Sequence, residues 1–269
     1  MWVFYYILLD IKSVFYMQDG QNLFDMYASY AGEWMVDEAI ADMMDNGYEG
    51  AIIVGIENSA DRWNEYSPEW VNVGTSLPNN SSAGDYAQFV DNPSGDKYGE
   101  FIVNTLKPYI DSHYNVRTDK NSTGIGGSSI GGLISYYLGM KYTDVFGQIL
   151  SFSPAFWMYS EDTIASVVDS YDYCNTDNLP KVFLYTGGAN QMEKDTIPYV
   201  DLVYNKMYSK KRHTHYLLHN CNGIVYADFF TINVVYLRFS SENLFYFSTE
   251  PMSKQKRSYS SKSERLITT

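Results

Sequence analysis

The sequence predicts an α/β fold: a three-layer sandwich whose mostly parallel central sheet is covered by helices on both faces. Three observations carry that expectation. Short apolar runs at 13–18, 51–56, 147–152 and 181–185 alternate with stretches whose apolar residues recur at helical spacing. A glycine-rich turn, Gly126-Gly127-Ser128-Ser129-Ile130-Gly131-Gly132, joins one such run to one such stretch. The chain, at 269 residues, is long enough for one α/β domain with a large core.

The elements follow in order. Residues 1–10 are apolar, aromatic and β-branched, which favours a strand; they show no basic start, no small-residue cleavage site and too little length to span a bilayer. Residues 13–18 read as a buried strand that runs into the loop Asp19-Gly20-Gln21-Asn22. Residues 33–46 place Val36, Ile40, Met43 and Met44 at helical spacing and stop at Gly47. A second buried strand covers 51–56. Residues 57–96 are rich in Asn, Ser, Gly and Pro, and hold Arg62, Trp63, Tyr66, Trp70 and Tyr86; a stretch of that length reads as the roof of a cleft. A helix is predicted over 98–114, with Pro108 expected to kink it. Strand 121–127, helix 129–141, strand 147–152 and strand 181–185 come next, then a helix over 196–207 with Pro198 in its first turn, and a last core strand at 215–218.

Right-handed crossovers put the strand-to-helix loops of such a sheet at one edge. That edge collects Asp19-Gly20-Gln21, Ser129, Glu193 and the segment after Leu218, and a site is expected there. Gly127-x-Ser129-x-Gly131 is a G-x-S-x-G pattern, which by itself also describes an ordinary glycine-rich turn with a surface serine. Its strand-turn-helix setting is that of a nucleophile elbow, where small neighbours let strand and helix pass closely and the helix start can stabilise an oxyanion.

Composition narrows the partners. A net charge of −13 argues against nucleic acid and against anionic membrane surfaces. No Cys/His spacing resembles a zinc site, and the two cysteines, Cys174 and Cys221, make a disulfide possible without forming a framework. The absence of a signal-peptide pattern tilts an otherwise open compartment toward the cytoplasm.

Four motifs together resemble the Putative esterase family of α/β-hydrolases, which includes esterase D, feruloyl esterases, enterochelin esterase-like enzymes and antigen 85 mycolyltransferases. They are Phe15-Tyr16-Met17-Gln18-Asp19-Gly20-Gln21-Asn22-Leu23-Phe24-Asp25, Asn64-Glu65-Tyr66-Ser67-Pro68, the elbow, and Val145-Phe146-Gly147 through Phe152-Ser153-Pro154-Ala155-Phe156-Trp157. The likeness covers roughly 13–209. It implies hydrolysis of a small-molecule or polysaccharide-linked ester with no metal or organic cofactor. It implies Ser129 as nucleophile, the backbone N–H groups of Gln21 and Ile130 as oxyanion donors, and Glu193 as the acid, with Asp195 second. Trp63, Tyr66 and Trp157, with Trp70, are expected to line the substrate site as stacking rings.

The likeness fades near Lys210. Where the family carries a Gly-His motif this chain has Gly223-Ile224-Val225-Tyr226-Ala227-Asp228-Phe229, with Ile224 at the histidine position. His213, His215 and His219 remain nearby, and His219, at the end of its strand, is the candidate base; His113 lies on an earlier helix and reads as structural. The reading is therefore a single domain over 1–230, lacking the family's first strands, and a divergent, partly disordered tail over 231–269. A divergent C-terminal part and a shifted reading frame would each produce this pattern. The alternative to an esterase is a hydrolase fold that binds carbohydrate or a partner without turnover.

Overall fold

Nine strands form one sheet in the computed structural model, which describes residues 2–6, 12–30, 32–47, 49–70, 89–171, 178–187, 191–210, 216–220, 223–227, 238–239, 243–244 and 261–265. They are β1 (Trp2–Tyr6), β2 (Ser13–Gln18), β3 (Ala51–Ile56), β4 (Thr123–Ser128), β5 (Gln148–Phe152), β6 (Lys181–Gly187), β7 (Tyr216–Asn220), β8 (Gly223–Ala227) and β11 (Ser261–Arg265). Their order across the sheet is β11-β1-β3-β2-β4-β5-β6-β8-β7. The run from β3 to β6 is parallel, as the alternation of apolar and helical stretches requires. β1 and β8 flank this run as antiparallel strands. A separate ribbon pairs β9 (Arg238–Phe239) with β10 (Asn243–Leu244).

The helices are α1 (Val36–Asp45), α2 (Arg62–Glu65), α3 (Gly95–Phe101, continuing through Ile102–Leu106 and Lys107–His113), α4 (Ile130–Lys141), α5 (Glu161–Ser170) and α6 (Gln191–Lys210). Side chains alternate across the sheet between two cores. Val14 and Tyr16, Ile52 and Val54, Ile125, Ile149, Val182 and Leu184 point to the face covered by α3, α4, α5 and α6. Met17, Ile53, Leu150, Phe152 and Phe183 point to the other, where α1 contributes Val36, Ala39, Ile40, Met43 and Met44. That is the period-two arrangement of strands buried on both faces.

Four details sharpen the sequence reading. At Pro108, where a kink was expected, the helix runs on: the turn before it, Ile102–Leu106, is π-helical, and the Lys107 N–H reaches back to the Ile102 carbonyl. Widening the helix there accommodates a proline that has no N–H to give. α6 begins at Gln191, so Pro198 lies inside the helix and Glu193 on its first turn. α5 was not anticipated; the Ser160 hydroxyl caps it by accepting the Thr163 N–H at 3.2 Å, and it buries Ile164 and Val168. Within the segment read as a divergent, partly disordered tail, Ser261–Arg265 adds to the sheet edge beside β1.

Candidate active site

Ser129 stands at the turn between β4 and α4 with φ 56° and ψ −125°, and its side chain is exposed. A non-glycine residue in that region of backbone space is strained by about 1–3 kcal/mol, so the surroundings must hold it. They do so through the backbone: the Ser129 N–H donates to the Phe152 carbonyl at 3.0 Å, and the Ser129 carbonyl accepts from Leu133 and Ala155 at 3.1 and 2.9 Å. The Ile130 N–H is the first of α4, where an N–H has no acceptor within the helix and the helix dipole favours negative charge.

Close approach brings the loop after β2 to this turn. A Cβ on Gly127 would stand 2.8 Å from the Gly131 carbonyl and 2.9 Å from Gln18 Cβ; one on Gly131 would stand 3.2 Å from Asp19 Oδ2. Strand, helix and loop therefore meet where no side chain fits between them. Asp19 also has left-handed backbone, φ 56° and ψ 50°, and opens a short 3-10 turn over Gly20–Asn22 that carries the Gln21 N–H.

Charge fixes that loop. Arg62 Nε and a terminal guanidinium nitrogen donate to Asp19 Oδ1 and Oδ2 at 2.7 and 2.8 Å, and Asn58 Nδ2 donates to Oδ1 at 2.8 Å. The Asp19 N–H donates to the Tyr66 hydroxyl oxygen at 3.2 Å. Burial opposes the charge on Arg62, but the hydrogen bond and ion pair with Asp19 outweigh it and lift its pKa above the usual guanidinium value. Burial pushes the Tyr66 and Tyr98 phenols well up, so both stay neutral, and Tyr98 donates a short hydrogen bond to Gln18 Oε1.

The base of the 57–96 stretch is ordered. Asn64 donates to Asp61 and Asp91, both at 2.8 Å, and accepts the N–H groups of Asp91 and Asn92. Tyr86 lies outside the described residues. Of the rings expected to line the site, Trp63 is half-buried and stacks on Phe89 at 5.6 Å. Tyr66 is wholly buried beneath the Asp19 loop, and Trp157 is only 8% exposed. In this structure both rings pack in the core instead of presenting a stacking face. Trp70 is also claimed by packing, edge-on to Tyr159 at 4.9 Å and to Tyr137 at 5.7 Å.

Glu193, on the first turn of α6, follows β6 at the edge that carries Ser129. The second acid, Asp195, is half-buried on the same helix. His219 is the penultimate residue of β7, in register with Ile224 of β8 and through it with Thr186 of β6. It lies toward the same edge, but β5, β6 and β8 intervene between its strand and β4. Four inter-strand spacings amount to about 19 Å along the sheet. The structure brings Ser129, Ile130 and the Gln21 loop together, and does not set β7, the strand of His219, beside them. His213, His215, Cys174 and Cys221 lie outside the described residues. His113 stacks on Tyr109 at the end of α3, with Nδ1 at 2.8 Å from the Tyr109 carbonyl, as a structural histidine would.

The Asp19–Arg62–Asn58 cluster was missed by sequence reasoning. Its one local signal was an Asp in a Gln-Asp-Gly-Gln loop and an Arg in the following insertion, 43 positions apart. Among the described residues, the acidic trio Glu33, Asp37 and Glu38 at the start of α1 is a group whose oxygens lie within 4.8 Å of one another. Burial first, then Glu38, push the Asp37 carboxyl up to about 7. No helix among the described residues is long and apolar enough to cross a membrane.

A strained, exposed serine between a central parallel strand and the helix that follows it defines the chain as an α/β-hydrolase fold. The family model described as Putative esterase matches residues 12–212, and the chain belongs to that family. The match stops where the likeness was seen to fade. The chain is 30% identical over 182 residues to the uncharacterized protein YbbA of Bacillus subtilis (strain 168), covering 68% of this chain and 63% of that one. Its fold is similar to the ferric enterobactin esterase of Salmonella typhimurium, with a TM-score of 0.53, 16% identity, and coverage of 78% of this chain and 47% of that one. It is likewise similar to the enterobactin esterase FES of Shigella flexneri, with a TM-score of 0.51, 16% identity, and coverage of 77% and 46%. The chain thus spans about half the length of these structures.

Proposed function

We propose that the chain is a carboxylic ester hydrolase that works through an acyl-enzyme on Ser129. The observation that carries this reading is the Ser129 backbone, held at φ 56° and ψ −125° with the first N–H of α4 beside it. Ser129 Oγ attacks the ester carbonyl carbon and gives up its proton to a base. The N–H groups of Ile130 and Gln21 receive the charge that develops on the carbonyl oxygen. The C–O bond breaks, the alcohol leaves with a proton, and water then frees the serine. Glu193 is the acid of this scheme and His219 the candidate base. Support for Glu193 is its place after β6 at the site's edge. The substrate class is a carbohydrate acyl, feruloyl or siderophore-type ester; membership of the esterase family and a fold shared with enterobactin esterases favour this set.

The strand order favours a second reading for turnover. With His219 about four strand spacings from Ser129, the fold would acylate but release slowly, and would act chiefly as a carbohydrate-binding or interaction module. Hydrolysis of p-nitrophenyl acetate and a feruloyl ester, with Ser129→Ala alongside, tests both. p-Nitrophenolate leaves without a proton and its ester is far more reactive than an acyl-serine, so acylation with the Ser129 proton passing to water still outpaces release, and a burst equal to the enzyme concentration is expected even where steady turnover is slow. A parent that matches Ser129→Ala in both phases contradicts the esterase reading.

A further inference from the structure

We propose that Arg62 and Asn58 are positioning residues that set the oxyanion loop, acting through Asp19 and Gln21 and never touching substrate. The proposal rests on the reading of Gln21 N–H as an oxyanion donor. The turn to be held is short. Asp19 has left-handed backbone, Gly20 follows it, and Gln21 carries the donor. Gly20 lies flat on β3: a Cβ there would stand 2.5 Å from the Gly55 carbonyl carbon, so the turn cannot sink further.

Both ends of the turn are gripped from one segment. Arg62 takes the Asp19 carboxylate in a two-pronged fork, at 2.7 and 2.8 Å, and Asn58 Nδ2 adds a third donor at 2.8 Å. The Asn58 backbone N–H donates to Gln21 Oε1 at 3.3 Å. Asn58 therefore ties Asp19 to Gln21 across Gly20. On its far side the carboxylate abuts Gly131, within 3.2 Å of where a Cβ would be, so the clamp also sets the spacing between loop and elbow. The guanidinium is itself wedged over the rings of Tyr66 and Trp63, at 5.1 and 6.0 Å from their centroids.

A planar fork is what the arrangement uses, so a lysine supplies the charge without the geometry. A displaced donor is lost mainly in the transition state, since the ground-state carbonyl gains little from it. The expected signature is a fall in acylation rate with little change in KM.

The experiment measures the burst with p-nitrophenyl acetate in the parent and in Arg62→Lys, Arg62→Ala and Asn58→Ala, with backbone hydrogen exchange of 17–24 and 123–141 in each. Arg62→Ala is expected to acylate about 10–100-fold more slowly, less than the 10²–10³ typical of deleting a donor outright, with KM within about threefold. Arg62→Lys should fall between, and Asn58→Ala should lose about threefold to tenfold, because one of three donors to the carboxylate goes. Exchange should quicken in 17–24 and stay unchanged in 123–141. Added methylguanidinium should restore part of the Arg62→Ala rate. Parent-like acylation in Arg62→Ala, or unchanged exchange in 17–24, overturns the clamp while leaving the esterase reading intact. A loss that tracks only the folded fraction, without rescue, also overturns it. A parent without a burst overturns the esterase reading and this proposal with it; exchange in 17–24 then still reports whether the clamp holds the loop.

Discussion

The turns that carry Ser129 and Gln21 approach so closely that a Cβ on Gly131 would stand 3.2 Å from Asp19 Oδ2, whereas three strands lie between the strand of His219 and that of Ser129. The first half of the candidate site is fixed by close approach. Gly127 has no room for a Cβ and Gly131 only a tight one, and Asp19 is held on the other side by a fork of charged hydrogen bonds. Such a half has few alternative arrangements. The second half depends on strand order at the far side of the sheet. There β8 pairs antiparallel with β6 and lies between it and β7. A single inserted strand leaves every local hydrogen bond satisfied yet moves a side chain by about 4.8 Å. Nucleophile geometry is thus robust to what happens in the last sixty residues, and proton-transfer geometry is not.

Three substitutions probe that contrast, in falling order of effect. Ser129→Ala should remove the burst with p-nitrophenyl acetate entirely, and should lower any steady turnover by up to about 10⁶. A residual burst in that variant would mean that another nucleophile is being acylated. Arg62→Ala comes next, with its 10–100-fold slower acylation as described above. On the strand order seen, in which β7 stands four spacings from β4, His219→Ala should change the burst rate by less than about threefold. A loss of several orders of magnitude would sharpen the comparison the other way, making His219 the base and requiring β7 to lie nearer β4.

Much of the first half was legible in the chain. G-x-S-x-G within strand-turn-helix context is a local pattern, and local patterns survive in sequence. The place of the Gln-Asp-Gly-Gln loop, after a strand and at the same sheet edge as the elbow, was legible from the alternation of strands and helices. The partner of Asp19 was not, because Arg62 is 43 residues away and nothing local announces a fork. Tyr66 and Trp157 were read as lining rings, and both pack in the core, since an aromatic residue looks the same in sequence whether it faces a cleft or a helix. α5 escaped notice because it buries only Ile164 and Val168, too few to show a period, although Ser160 followed by Glu161 and Asp162 was a start signal. Pro198 was taken as a helix start, but Gln191 to Asp195 are themselves helical, and packing of Tyr199, Val200 and Val203 carries the helix past the proline. The segment 223–227 was read as a worn motif, and the structure uses it as β8.

The smallest expected effect lies away from the site and serves as a control. The Asp37 carboxyl, pushed up to about 7 chiefly by burial, is protonated more readily in the folded chain than in the unfolded one. The folded state then binds the extra proton between the ordinary carboxylate value and about 7, so stability falls as pH rises through that window. Asp37→Asn should therefore raise the melting temperature at pH 8, and the gain should vanish by pH 4. Thermal melts at the two pH values check it, and the burst rate should not change, because α1 lies on the opposite core from α4.

The central claim is that Ser129 is a nucleophile. The most direct measurement is to quench the parent within its burst with p-nitrophenyl acetate, digest it, and locate the acetyl group by mass spectrometry. The account predicts one acetyl group per chain, on Ser129. No burst, or acetyl groups scattered over lysines and tyrosines with Ser129 unmodified, would contradict it.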